Sequence, residues 1–189
     1  MKKVFLIRHG NAYDESWREG PESALNESGM KHAEALAERF KDFRVDEVFC
    51  STMERSKNTC KIFLKYHSDV KAEYRDDVRE VLDEAFASDH EKLEHLKGIF
   101  DPICSQVCDS FKRILSESKG ENVFIFTHGH WIRFLVLKIL EGSIDGFFNM
   151  NVDFASVTMV EVKSPDKMVL HLFNDASHTK GLPYGCCAW

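Results

Sequence analysis

At 189 residues the chain suits one domain, residues 1–189, with a sizeable core, and would crowd two. Hydrophobic residues make up 43% and charged residues 30%, an ordinary balance for a soluble globular protein. The net charge of −6 excludes the broad basic field that sequence-independent nucleic-acid binding needs, and any anionic ligand would require a local cationic pocket.

Residues 3–8 are rich in strand formers and read as a buried strand. The apolar run Val4–Ile7 is too short for a signal-peptide core or a membrane span, so no membrane association and a cytoplasmic setting are expected. Residues 9–27 read as a long loop over the sheet edge, a length that suggests function. A helix is predicted from about Ser28, with Ala33, Leu36, Ala37 and Phe40 on one apolar face. Asp46–Cys50 reads as a second strand. Ser51 or Thr52 is expected to cap a helix that runs to about Tyr66.

Lys71–Tyr74 reads as a third strand, and Glu91–Lys97 as a short solvated helix inside a charged stretch, residues 75–100. A helix from about Ile103 to Ser118, stopped by Gly120, places Val107, Phe111, Ile114 and Leu115 on one face. Val123–Phe126 is apolar at every position, as a central strand covered on both faces should be. Trp131–Leu140 predicts a buried helix. Strands at about 155–163 and 167–173 flank the turn Ser164-Pro165-Asp166. This order predicts an α/β fold, three-layer α/β/α, with a mostly parallel central sheet and an antiparallel edge strand.

Six cysteines are too few for a disulfide framework, and reduced thiols are expected. Cys104 and Cys108 sit four apart with no second pair nearby, so no zinc site is expected. Cys186 and Cys187 read as part of a frayed C-terminal tail.

Chemistry concentrates at strand ends. Leu6-Ile7-Arg8-His9-Gly10 and Phe126-Thr127-His128-Gly129-His130 each carry a histidine and a glycine just past a strand. In an α/β sheet such positions line the ligand crevice, and glycine lets the backbone approach a ligand closely. The helix beginning near His130 points its first N–H groups at the same crevice. A third strand end leads to Arg55 in the first turn of a helix, where a cation is unfavourable unless an anion is bound beside it. Singly, each has a plainer reading: a turn, a structural ion pair, a solvated side chain. Together they describe a phosphate site.

The ordered motifs resemble those of the histidine phosphatase superfamily, which includes the cofactor-dependent phosphoglycerate mutases. Arg8-His9-Gly10 resembles its Arg-His-Gly signature, and Leu25-Asn26-Glu27-Ser28-Gly29 its Leu-Thr-x-x-Gly helix start. The segment from Val48 to Thr59 is similar to its Ser-Ser-x-x-x-Arg-x-x-x-Thr stretch. Thr127-His128-Gly129 resembles its second histidine motif, and Asn174–His178 a late segment of many members.

The resemblance implies a phosphoglycerate mutase-like fold and a metal-independent phosphomonoesterase of the phosphatase branch. His9 would be the nucleophile and form a phosphohistidine. Arg8, Arg55 and His128 would surround the phosphoryl oxygens, with Asn11 and the backbone at Gly129 alongside. Glu80, in Val78-Arg79-Glu80, would be the general acid, with Glu84 the alternative. No metal and no cofactor are implied. The substrate would be a small phosphorylated molecule or a phosphoprotein, and the residues define no oligomeric state.

The first loop departs from the family pattern at Ala12 and Glu15, which weakens a mutase reading. A phospho-ligand-binding protein of low activity is the reading from another class. His130 and Trp131 could line the pocket, with His178 at its rim and Arg133 in an ion pair. Tyr13 and Trp17 could stack on a substrate ring or pin the loop.

Overall fold

The computed structural model describes residues 1–13, 20, 22–82, 90–164 and 167–183. They form a six-stranded sheet in the order β3-β2-β4-β1-β5-β6. Strands β1 (Lys2–Arg8), β2 (Glu47–Ser51), β3 (Ala72–Arg75) and β4 (Asn122–Thr127) run parallel. Strand β5 (Val157–Ser164) runs antiparallel to β1, and β6 (Lys167–Asp175) pairs antiparallel to β5 as the outer strand of a hairpin, so β5 alone runs against the other five and this edge of the sheet is antiparallel in pairing, as expected. Pro165 and Asp166 of the predicted turn lie outside the described residues.

Alternation along β1 and β4 splits the core in two. Val4, Leu6, Val123 and Ile125 face one side with Phe111, Ile114, Trp131 and Phe134. Phe5, Ile7, Phe124 and Phe126 face the other with Leu36, Phe40 and Phe63. Phe5 stacks on Phe124 at 4.6 Å and Phe40 meets Phe124 edge-on at 5.2 Å, favourable geometries for aromatic pairs.

Helix α1 (Glu27–Phe40) buries Ala33, Leu36, Ala37 and Phe40, as their spacing predicts. Its N-cap is Asn26, whose side chain accepts from Gly29 N at 2.8 Å. Helix α2 (Glu54–Phe63) is followed by a 3₁₀ turn, Leu64–Tyr66. The cap expected from Ser51 or Thr52 is not made: Met53 is the N-cap and no side chain caps the helix. Ser51 instead ends β2, and Thr52 donates to Asp76 at 2.5 Å.

Helix α3 runs His90–Glu117, far longer than predicted, and takes in the short helix expected at Glu91–Lys97. Pro102 lies inside it. Proline removes one ladder hydrogen bond and crowds the carbonyl four residues earlier, which is why its position suggests a boundary. Here that residue is Gly98, which is exposed, while Ile99, Phe100 and Ile103 pack against the core on both sides of the proline. Helix α4 (Gly129–Ile139) is buried nearly all round, and a short α5 (Ile144–Phe147) follows. No helix among the described residues is long and apolar enough to cross a membrane.

Register brings the strand ends level. Arg8 pairs with Thr127, and Cys50 with Phe126, so His9, Ser51 and His128 all emerge on one rim of the sheet. The charged segment after β3 is pinned to that rim. Thr127 Oγ1 donates to Val78 O at 2.7 Å, and Ser110 Oγ and Trp131 Nε1 both donate to Asp77 O, at 2.7 and 3.3 Å. Val78 and Leu82 are buried on either side of Glu80.

Candidate active site

The nucleophile candidate sits where β1 ends. His9 is fully buried. Its Nδ1 lies 2.8 Å from Gly10 O, and a carbonyl can only accept, so Nδ1 carries the hydrogen. The Nε2 lone pair is therefore available and accepts from Arg55 Nε at 3.1 Å. Burial, then the neighbouring His128 ring and the charges of Arg55 and Arg8, lowers the His9 pKa well below the usual histidine value. The ring is neutral at pH 7, as a nucleophile must be.

The loop that carries His9 crosses the start of α1 with no room for a side chain. A Cβ on Gly10 would lie 2.4 Å from Gly29 O, and one on Gly29 would lie 1.9 Å from Asn11 O. Gly10 N donates to Thr59 Oγ1 at 3.0 Å, which ties the loop to α2 as well. Asn11, expected at the phosphate, uses its amide in this loop: Oδ1 accepts from Tyr13 N at 3.0 Å and Nδ2 donates to Ser28 Oγ at 3.1 Å.

His128 enters from the end of β4 and is also fully buried. Its ring centroid is 5.0 Å from that of His9. Nε2 lies 2.8 Å from Ser51 Oγ, which itself accepts from Met53 N at 3.2 Å. Nδ1 has no hydrogen-bond partner among the described residues. Burial, aided by the charges of Arg55, Arg8 and Arg79 and opposed by Glu80, lowers its pKa to about 3.

Both expected arginines converge here. Arg55 is 3% exposed and its Nη1 donates to Gly20 O at 2.9 Å. Arg8 Nη1 donates to Val152 O at 2.6 Å, and its guanidinium lies 4.1 Å from the Phe154 ring centroid, a cation–π contact. A Cβ on Gly129 would meet Arg8 Nε at 3.4 Å, so the second glycine lets the arginine lie close to the start of α4.

Glu80 takes the N-terminus of α4. Oε2 accepts from His130 N and Oε1 from Trp131 N, both at 3.3 Å, and Oε1 also accepts from Val81 N at 3.0 Å. The helix N–H groups expected to face a bound anion thus face this carboxylate. Burial would raise its pKa; the adjoining His130 and His128 and the Val81 N–H outweigh that and hold it at about 2. His130 Nδ1 lies 3.5 Å from Oε2.

The remaining candidates fall behind this first layer. Trp131 is a fully buried core residue and Arg133 lies over the Phe147 ring. His178 Nε2 lies 3.1 Å from Ala155 O, behind the turn that carries Phe154. Tyr13 meets Phe154 edge-on at 5.5 Å. Glu84, Glu15, Trp17, Cys186 and Cys187 lie outside the described residues. Cys104 and Cys108 are free thiols on α3, and among the described residues no group of three or more His, Cys, Asp or Glu could hold a metal.

Sequence reasoning missed Ser51 and Phe154. Ser51 read as a helix cap because its polar side chain precedes a helix. Phe154, beside Arg8 and 6.1 Å from His9 centroid to centroid, gives no local signal, since a lone phenylalanine before a strand reads as core.

Known proteins resemble the chain over most of its length. A metal-independent phosphoserine phosphatase of Arabidopsis thaliana is 28% identical over 97% of this chain and 86% of its own length. A probable phosphatase of Schizosaccharomyces pombe is 28% identical over 93% of this chain and 94% of its own. In fold, a mutant phosphoserine phosphatase of Entamoeba histolytica, solved with phosphoserine, superposes with a TM-score of 0.78 at 16% identity, covering 94% of this chain and 99% of its own. The fold is thus the phosphoglycerate mutase-like α/β fold. The family model for the histidine phosphatase superfamily (branch 1) matches residues 4–94 and 99–176. That match begins in β1 and ends just past β6, and the chain belongs to this superfamily.

Proposed function

We propose that the chain is a metal-independent phosphoric monoester hydrolase that works through a phosphohistidine on His9. One observation carries the reading: a buried, neutral His9 has Nδ1 held by Gly10 O and its Nε2 lone pair directed at Arg55. A phosphoryl group bound there would draw Arg55, Arg8 and His128 Nδ1 onto its oxygens. Phosphoryl transfer asks for positioning and charge stabilisation, and these groups supply both.

Nε2 then attacks phosphorus in line with the departing alcohol oxygen. Glu80, at the start of α4 just past His128, protonates that oxygen and afterwards deprotonates the water that cleaves the phosphohistidine. Such acid–base assistance is worth roughly 10²–10⁴-fold.

A small, anionic phosphomonoester such as phosphoserine is the first substrate to try, because the Arabidopsis relative is named for it and the Entamoeba protein was solved with it. A cytoplasmic site of action belongs to the same proposal; the free thiols Cys50, Cys60, Cys104 and Cys108 suit a reducing compartment.

The test is turnover of p-nitrophenyl phosphate and phosphoserine in EDTA. Both should be hydrolysed, and acid-labile, base-stable label from the substrate should be trapped on His9. Label on another side chain, or activity that EDTA removes, defeats the reading.

A further inference from the structure

Glu80 holds three backbone N–H groups and, at neutral pH, is a carboxylate. It must gain a proton before it can give one to a leaving alcohol. Neither of the paired histidines can supply it: His9 needs its lone pair for attack, and His128 Nε2 is engaged by Ser51 while its other nitrogen is assigned to phosphate.

We propose that His130 is the positioning residue that delivers this proton to Glu80 and takes it back, through the contact between its Nδ1 and Glu80 Oε2 at 3.5 Å. The proposal rests on the phosphatase reading above.

Three features place the ring for this work. His130 N donates to the same Oε2 at 3.3 Å, so the backbone hydrogen bond keeps the ring beside that carboxylate oxygen. Nδ1 is buried and makes no hydrogen bond among the described residues, and Glu80 Oε2 lies 3.5 Å from it. The ring stacks on Phe147 at 5.7 Å and 23°, which fixes its plane, and the side chain keeps 10% exposure, a route for exchange with solvent.

The charged and titratable groups around it are Glu80 from the segment after β3, Arg133 over the same Phe147 ring, and His128 beyond Glu80. Imidazole is the side chain suited to carry a proton either way near neutrality. Contacts of this kind are often long without substrate and shorten when the site is filled.

The proton account closes. A protonated His130 passes its Nδ1 hydrogen to Glu80. As the bond from His9 Nε2 to phosphorus forms, the bond to the leaving oxygen breaks and that oxygen takes the proton from Glu80, releasing the alcohol. Water oxygen then bonds to phosphorus as the N–P bond breaks. Glu80 takes the water proton and returns it to His130, leaving phosphate and the starting enzyme.

A relay of this kind matters only when the leaving group needs a proton. The experiment compares wild type and His130→Gln on phosphoserine, glycerol phosphate and p-nitrophenyl phosphate. It reads kcat/KM, which reports transfer to His9, the first irreversible step. The alkyl phosphates should lose roughly 10–100-fold and p-nitrophenyl phosphate should stay within about twofold. In a Glu80→Gln background His130→Gln should cost nothing more. Equal losses on every substrate, no loss on the alkyl phosphates, or full additivity with Glu80→Gln overturns the relay. Thermal melts of both variants separate these outcomes from misfolding. If wild type turns over and His9→Ala does not, the phosphatase reading survives a failure of the relay.

Discussion

The rim of the sheet carries the same dipeptide twice, His9-Gly10 after β1 and His128-Gly129 after β4, on strands that pair in register. Their surroundings treat the rings in opposite ways. His9 is held at Nδ1 by the carbonyl of its own neighbour and presents Nε2. His128 is held at Nε2 by a serine from β2 and leaves Nδ1 open. A backbone acceptor forces a hydrogen onto the nitrogen it meets and leaves a lone pair on the other. A hydroxyl can donate as well as accept, so Ser51 can place the hydrogen of a neutral His128 on Nδ1, where it serves as a donor. One residue type in one sequence context thus presents a lone pair at one strand end and an N–H at the next, the division of roles that the proposed phosphatase reading uses.

The strongest way to break that comparison is to remove each ring in turn. His9→Ala should lose turnover by about 10⁴-fold or more and take up no label. His128→Ala should lose roughly 10²–10³-fold, the usual cost of one transition-state donor, yet still label at His9. If both variants behave alike in single-turnover labelling, the division of roles is wrong.

A smaller effect sharpens it. Ser51→Ala leaves a buried histidine nitrogen without its partner, at a cost of about 1–3 kcal/mol, so kcat should drop by about 5–150-fold if that cost falls on the transition state. Nitrogen-15 NMR should show His128 losing its single tautomer while His9 keeps its own. An unchanged His128 spectrum would remove Ser51 from the account.

The smallest effect concerns stability. Burial lowers the pKa of His9 and His128, and the same holds for His178, at about 4, and His32. Their folded values lie below the unfolded value of 6.5, so the stabilisation is complete above about pH 6.5 and declines as pH falls toward the folded values. The melting temperature should therefore begin to drop near pH 6.5, by about 2–4 °C per kcal/mol lost. Glu80 and Asp175, each at about 2, add their own loss only below about pH 4.5. Saturating phosphate should blunt the first decline by favouring protonation of the pair at the site. A flat profile from pH 8 to 5 would mean that the rings are not buried neutral.

Much of the fold was legible because its signals are local. Val123–Phe126 is apolar at every position, and the helix face of Ala33, Leu36, Ala37 and Phe40 repeats with helical spacing. Non-local contacts hid the rest. The helix expected from about Ile103 starts at His90, and Phe100 packs against Phe134 on the near side of Pro102. The stretch around Glu80 is charged and lacks a periodic apolar signal. Its order comes from Thr127, Ser110 and Trp131, which bind its carbonyls from β4, α3 and α4. The two histidines and two arginines were found because each follows a strand or opens a helix. Ser51, Phe154 and the His130–Glu80 contact depend on which strands adjoin, and a linear reading does not contain that.

The crossing of Gly10 over Gly29 bears on how this enzyme could be re-engineered. Two stretches of backbone touch there, one carrying His9 and the other starting α1. A combinatorial library that varies the first loop while sparing both crossing positions should retain many folded clones. One that admits even alanine at position 29 would push the loop that carries His9 off its seat, so inactive clones should cluster at that site whatever the chosen substrate.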